Sequence, residues 1–447
     1  MAPHGGSIMS TTPPKTEYRT AAVASQERLK VILSAPLLTR SGYGEQSRFA
    51  LRALRSREDL FDIYIRPLEW GKTSWVALSD DERAWIDHRI ERTIHHSNNG
   101  GQYDVSLQVT IPNEWQNMAD VNIGYTAGIE TTKVAHEWLQ AANGMDKIIV
   151  VSNHSKDVFE HTTYEAINEA TGERALLKLE TKVDVVNYPT KTFKNLKPLD
   201  INLEHDFNFL CVAQMGPRKN LENTVKWFLE EFREDEVGLV VKTNLAKNCQ
   251  MDRELSFGRI QNIVHNVKNQ FGDIKCKVYL LHGDLSDREM HAIYLNEKIK
   301  ASVLLTHGEG FGLPMFESAY MGTPVVATDW SGQTDFLYDE SGKPHFYQVA
   351  YDIQQIPKEI VWDGVLVAES MWAYPRESSA KEQMRKCYED LSSSDHNNEK
   401  HCNYSTELKD RFEESKMYRK FIEALGNNRM VTPTNKNNEN LEIVELD

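Results

Sequence analysis

The stretch SVLLTHGEGFGLPMFESAYMGTPVVATDWSG, residues 302–332, carries most of the argument for the fold. Ser302 to Leu305 is an apolar run of strand length, glycines at 308, 310 and 312 punctuate the loop after it, and Pro314 stands where the start of a helix is preorganised. Val325 to Thr328 is a second apolar run. Strand, glycine loop, helix, strand is the grammar of a parallel α/β unit, in which the helix N-terminus opens at the carboxyl edge of the sheet. Exposed amides at such a terminus receive a diphosphate. Glu309 lies in the loop and Glu317 in the helix eight residues later. One carboxylate can face a sugar hydroxyl while the other accepts from a ribose diol. A bare diphosphate repels both, so the pair implies a ligand with sugar on each side of its phosphates.

The same grammar extends in both directions. Upstream, LKVIL (Leu29 to Leu33) leads through TRSGYG (39–44) into a helix pattern from Glu45 to Leu54. Ile63 to Ile65, Val105 to Val109, Val121 to Tyr125, Ile148 to Val151 and Val183 to Val186 read as further strands. Phe207 to Val212, Val237 to Lys242 and Lys277 to Leu281 precede the opening segment. Between the two sets, TKTFKNLKPLDINLEHD (190–206) has no apolar period and reads as a linker. The fold class is therefore α/β, with two doubly wound Rossmann-like lobes and a cleft between them. The expected divisions are a disordered leader (1–25), an N-terminal lobe on the acceptor side (26–190) and a C-terminal lobe on the nucleotide-sugar side (200–375). Crossover helices (376–425) with a flexible loop near 392–403, and a disordered tail (426–447), complete the chain.

Composition narrows the function class. A chain of 447 residues, 40 % hydrophobic, has ample core for two such lobes. No window approaches the ~18 apolar residues of a membrane-spanning helix, so no integral membrane segment is expected. The formal charge of -15 opposes general polyanion binding. Five cysteines without metal-ligand spacing, and no secretory h-region near the start, indicate reduced thiols and a cytoplasmic location.

The run EGFGLPMFESAYMGTPVVATDWSG closely resembles the E-x7-E signature of retaining GT-B glycosyltransferases, family 4 in particular. The resemblance implies a sugar contact for Glu309, a ribose contact for Glu317, and donor contacts for Gly310, Phe311, Gly312 and Leu313. GPRKNL (216–221) resembles the family's RKN element, making Arg218 and Lys219 catalytic cations for the leaving diphosphate; Gln214 stands where many members carry Arg. TRSGYG resembles the glycine loop of the N-terminal lobe, with Gly42 and Gly44 facing the donor, and Lys242 matches a strand-end lysine. VNIGYTAGIETTKVAHEW (121–138) resembles a subset segment that puts Glu130 at the cleft, near acceptor or sugar, with His136 either there or on a helix surface. MWAYPRESSAKEQMRKCYED (371–390) resembles that subset's tail and marks the crossover helix.

The expected activity is retaining, metal-independent transfer from a UDP- or GDP-sugar to a hydroxyl, with no cofactor besides that donor and no metal ligands. Acceptors left open are a glycan, a lipid-linked sugar, a protein, a metabolite or a hydroxymethylated DNA base. Competing expectations are an epimerase or phosphorylase on the same fold, and a non-catalytic sugar-nucleotide or glycan binder.

Overall fold

The computed structural model describes residues 27–71, 73–76, 80–167, 174–393 and 399–426. The expected leader, and the expected tail beyond Gly426, lie outside them. The strands are β1 (Leu29–Ala35), β2 (Phe61–Pro67), β3 (Val105–Val109), β4 (Val121–Thr126), β5 (Lys147–Val150), β6 (Tyr164–Ile167), β7 (Arg174–Leu177) and β8 (Val183–Val185), then β9 (Phe207–Val212), β10 (Val237–Lys242), β11 (Lys277–Leu281), β12 (Ile299–Leu304), β13 (Val325–Thr328), β14 (Tyr347–Val349), β15 (Tyr351–Gln355) and β16 (Met371–Pro375). The helices are α1 (Gly42–Arg55), α2 (Asp81–Asn98), α3 (His136–Asn143), α4 (Asn153–His161), α5 (Leu221–Glu231), α6 (Gln250–Phe271), α7 (Asp287–Ile293), α8 (Leu313–Tyr320), α9 (Thr334–Leu337), α10 (Glu377–Ser392), α11 (Glu399–Arg411) and α12 (Glu414–Leu425).

Two six-stranded sheets result, ordered β2-β1-β3-β4-β5-β8 and β11-β10-β9-β12-β13-β14. Every pairing within them is parallel. Their central strands are buried on both faces, which is why they read in the sequence as continuous apolar runs. In each sheet the strand order reverses once, between β1 and β3 and between β9 and β12. Open parallel sheets bind ligands at the carboxyl ends beside such a reversal.

One apolar cluster joins the lobes. It contains Val31, Leu33 and Phe49 of the first, Phe311, Met315 and Phe316 of the second, and Met417, Phe421 and Leu425 of α12. Phe421 packs against Phe49 at 5.3 Å and Tyr125 at 5.1 Å between ring centroids. By contrast, α10 buries Ala380, Met384 and Cys387 in the core of the second lobe. The chain thus returns to its first lobe at its end.

Three local expectations need correction. Met371–Pro375 pairs antiparallel with Tyr351–Gln355, so the crossover helix begins only at Glu377. Residues 399–403, expected in the polar loop, open α11, while 394–398 lie outside the described residues. Pro314 is the second helical residue, since α8 starts at Leu313. Among the described residues no helix is long and apolar enough to cross a membrane, and the five cysteines are unpaired.

Candidate active site

The loops after β9 and β12 flank the reversal in the second sheet and build a charged cluster. After β9, Pro217–Lys219 forms a single tight turn that ends on Asn220, whose φ of 51° is left-handed. Asparagine tolerates that conformation better than most L-residues, and the Asn220 amide donates to Leu305 O at 3.0 Å, pinning the turn to the end of β12. Arg218 and Lys219 are thereby presented together.

Glu309 meets them. It is 6 % exposed, with Lys219 Nζ 2.6 and 2.8 Å from its two carboxylate oxygens and an Arg218 nitrogen 3.1 Å from one of them. Arg218 also donates to Gly308 O at 2.6 Å and pairs with Glu130 at 3.0 Å. Burial pushes the Glu309 carboxyl up, but Lys219 and then Arg218 outweigh it and hold the group below its ordinary range. For Lys219, burial and the neighbouring Arg218 together lower the ammonium pKa against the pull of Glu309. Four charges of alternating sign thus neutralise one another at the mouth of the second lobe.

The backbone of Glu309 is fixed at both ends. Its amide donates to Ser331 Oγ at 2.9 Å and its carbonyl accepts from Gly332 N at 3.0 Å. Ser331 sits at φ 78°, a conformation that costs a non-glycine residue energy and persists where its surroundings enforce it. Its hydroxyl donates onward to buried Gln333, which in turn donates to Thr328 O. Nothing in the sequence marks Ser331 as left-handed.

Gly312 takes φ 94° as the cap of α8, a position suited to glycine. The amides of Gly310, Phe311 and Gly312 donate to no group among the described residues. The Phe311 ring is core, 5.1 Å from Tyr188 and 4.9 Å from Phe336, so only its backbone can meet a ligand; Leu313 is half-buried against the same cluster. Gly308 and Gly310 also meet the first lobe. A Cβ at Gly308 would lie 2.3 Å from Glu130 O, and one at Gly310 would lie 2.5 Å from Ala127 O. These glycines admit the backbone of the first lobe.

Glu317 stands apart from Glu309, in a second charged group. Burial first, and then the charges of Glu45 and Asp287, push its carboxyl up to about 7 against the pull of Lys191. Lys191, on the linker, bridges Glu45 at 2.8 Å and Asp287 at 2.7 Å. That tie joins α1 of one lobe to α7 of the other, and an isolated linker lysine gave no sequence signal for it.

At the first lobe's reversal, Ser41 caps α1 by accepting from Gly44 N at 2.9 Å. A Cβ on Gly44 would fall 2.0 Å from Thr39 O, whereas Gly42 has open space around it. The Tyr43 hydroxyl shares a hydrogen bond with Thr126 Oγ1 at 2.7 Å, and its ring packs on Trp70 at 4.1 Å. Lys242 closes β10 and donates to Gly283 O at 2.9 Å, outside the Glu309 cluster. Gln214 donates to Leu245 O at 2.8 Å and leaves Arg218 as the guanidinium of the cluster. His136 opens α3 on the surface, pairs with Glu137 at 3.2 Å and stays out of the cluster. His154 was not foreseen: its ring stacks edge-on against Trp330 at 4.8 Å, and burial lowers its pKa to about 4. Among the described residues no group of three His, Cys, Asp or Glu side chains could hold a metal.

No protein-family model matches this chain, and no curated protein matches it in sequence. Solved structures match it along most of its length. A glycosyltransferase from Rickettsia africae aligns with a TM-score of 0.56 at 13 % identity, covering 90 % of this chain and 99 % of the other. An E. coli trehalose-6-phosphate protein bound with UDP-2-fluoro glucose gives 0.53 at 9 %, covering 89 % and 98 %. Anabaena HepE in complex with UDP and glucose gives 0.52 at 13 %, covering 89 % and 99 %. At such identities the likeness establishes the fold: this is the two-lobed GT-B arrangement.

Proposed function

We propose that the protein is a glycosyltransferase that moves a sugar from a nucleotide diphosphate donor to a hydroxyl acceptor, with retention and without metal. The observation that carries this reading is buried Glu309 held by Lys219 and Arg218 beside the undonated amides of Gly310 to Gly312. Carboxylate, cations and amides converge at the strand-order reversal of the nucleotide-side lobe. UDP in the HepE and E. coli structures of the same fold supports a UDP-sugar, with a GDP-sugar as the other candidate.

In the reaction, the acceptor oxygen forms a bond to the anomeric carbon on the face that the diphosphate leaves. The carbon–oxygen bond to the diphosphate breaks, its electron pair stays with the leaving group, and the acceptor proton passes to that group. Lys219, Arg218 and the amides stabilise the charge that develops. Glu309 accepts from sugar hydroxyls and orients the ring, and Glu317 accepts from the ribose. Gly42, in open space at the start of α1, allows the diphosphate to approach that helix terminus. Glu130 sits where the acceptor enters. The unpaired cysteines are consistent with a reducing, cytoplasmic compartment.

The test is a panel of UDP- and GDP-sugars, scored by thermal shift, by nucleotide release in EDTA, and by NMR of the product's anomeric configuration. At least one donor should stabilise the protein and be turned over in the chelator. Failure of every donor to shift the melting temperature, or a strict need for Mn²⁺, would overturn the reading.

A further inference from the structure

A second concave site lies beside the first, on the other lobe. Thr39, Glu69, Trp70, Gly71, Thr73 and Trp75 line a pocket of ≈ 190 Å³ that Lys247 closes from the second lobe. The volume falls below the ~300–1,000 Å³ of pockets that swallow a whole ligand, so it suits one ring of a larger molecule or a small one.

The pocket is built from fixed parts. Segment 74–76 is tied to the loop after β1 by hydrogen bonds from Arg40 N to Ser74 O and from Val76 N to Leu38 O, both 2.8 Å. The Trp70 ring is held by Tyr43, whose hydroxyl is in turn bonded to Thr126. Trp75 is 50 % exposed, so its indole is open to a ligand in the pocket. Opposite, the amides of Leu245, Ala246 and Lys247 all donate to the buried Asp252 carboxylate, at 2.9, 2.7 and 2.9 Å. The loop that carries Lys247 is therefore rigid. Tyr43 links the pocket to the glycine loop of the second lobe, since its hydroxyl bonds Thr126, whose neighbour Ala127 backs its carbonyl onto Gly310.

We infer that this pocket seats the acceptor and that the acceptor is a saccharide, an assignment that rests on the transferase reading above. A pyranose presents a C–H face to an indole and hydroxyls to its rim, matching Trp70 and Trp75 flanked by Glu69, Thr39 and Thr73. Glu69 accepts from sugar hydroxyls but repels a phosphodiester, and the formal charge of -15 adds to that repulsion against a nucleic acid. A lone peptide hydroxyl leaves two indoles unmatched. Lys247, a donor from the opposite lobe, makes the seat complete only when both lobes are in place.

Saturation-transfer NMR tests the inference with four probes at once: the methyl glycosides of glucose, mannose, galactose and N-acetylglucosamine. Parallel samples hold oligothymidylate or a threonine-containing peptide. UDP is present throughout. At least one glycoside should give a signal concentrated on its C–H face. Trp75→Ala should weaken it by about tenfold, while Trp75→Phe should largely restore it. The UDP-induced thermal shift of each variant reports that it is folded. Silence from all four glycosides, or a signal undiminished in Trp75→Ala, overturns the assignment; so does a Trp75-dependent signal from the oligonucleotide or the peptide. The two readings separate cleanly. UDP binding without glycoside binding removes the saccharide acceptor and leaves the transferase; glycoside binding when neither UDP nor GDP shifts the melting temperature removes the transferase and leaves a sugar-binding pocket.

Discussion

The two lobes share a six-stranded parallel sheet, yet their reversal points hold opposite chemistry. In the second lobe the loops after β9 and β12 bring two cations and a buried carboxylate into contact. In the first, the loop after β1, the start of α1, the loop after β2 and the end of β4 bring together hydroxyls and aromatic rings: Ser41, Tyr43, Trp70 and Thr126. Charge suits a phosphorylated donor, and neutral hydroxyl and ring surface suits a polyhydroxylated acceptor. The glycines differ as well. Gly308 and Gly310 are small because the first lobe's backbone presses on them, while Gly42 faces open space. One sequence feature, glycine between strand and helix, thus serves lobe contact in one place and leaves open space in the other, the space the proposed donor would approach.

The contrast in charge is broken most severely at Lys219. Lys219→Ala leaves Glu309 buried against Arg218 alone, and one lost partner in a buried pair costs about 3 kcal/mol. Turnover should fall by roughly 10²–10³-fold as a preorganised charge disappears from the leaving group. Adding Glu309→Gln should recover the melting temperature but not turnover, as calorimetry and nucleotide release will report. Recovery of both would remove the pair from the chemistry.

The glycine contrast is tested by two matched substitutions. Gly310→Ala forces a methyl to 2.5 Å from Ala127 O and should destabilise the protein by about 1–3 kcal/mol. Gly42→Ala should melt like the parent and lose UDP affinity. Equal melting temperatures for both variants would dissolve the distinction.

A smaller effect is expected from pH. Burial raises Glu317 from 4.5 to about 7, so the folded chain keeps a proton that the unfolded chain releases near 4.5. This group's contribution to stability is fully present below about 4.5 and is lost as pH climbs through about 7. UDP affinity should move the other way, tightening over the same interval as the carboxylate that accepts from ribose forms. Glu317→Gln should flatten both profiles, measured by thermal melts and titration calorimetry between those limits. A dependence that survives the substitution belongs to another group.

The least effect belongs to His136. Exposed at the start of α3, paired with Glu137 and packed edge-on against Tyr164, it should be replaceable by alanine without change in nucleotide release. A marked loss would extend the site across the surface of the first lobe.

Much of this was legible in the sequence because it depends on local pattern. All eleven expected strands form, the central ones appearing as unbroken apolar runs because they are buried on both faces. β14 and the short pairs β6–β7 and β15–β16 escaped, because three to five residues with mixed polarity carry no period. The family resemblance names Arg218, Lys219 and Glu309 together, and the structure brings them into contact and adds Glu130. What remained hidden was pairing across distance. Lys191 joins Glu45 and Asp287 through contacts 146 and 96 residues apart, and His154 and Ser331 owe their places to surroundings set by the whole fold.

The closing helix α12 has a consequence for how the chain is made. Phe421 and Leu425 belong to the same apolar cluster as Val31 and Phe49, and the Ala424 carbonyl accepts from Lys147 Nζ at 2.7 Å. A chain emerging from the ribosome therefore completes its second sheet before its first lobe receives its last wall. Until then the first-lobe residues that α12 covers, Val31 and Phe49 among them, lack that cover, which favours aggregation and engagement by chaperones. Chains arrested before residue 414 should be cleaved within the first lobe by a protease that spares the full-length protein, the outcome expected if α12 completes that lobe.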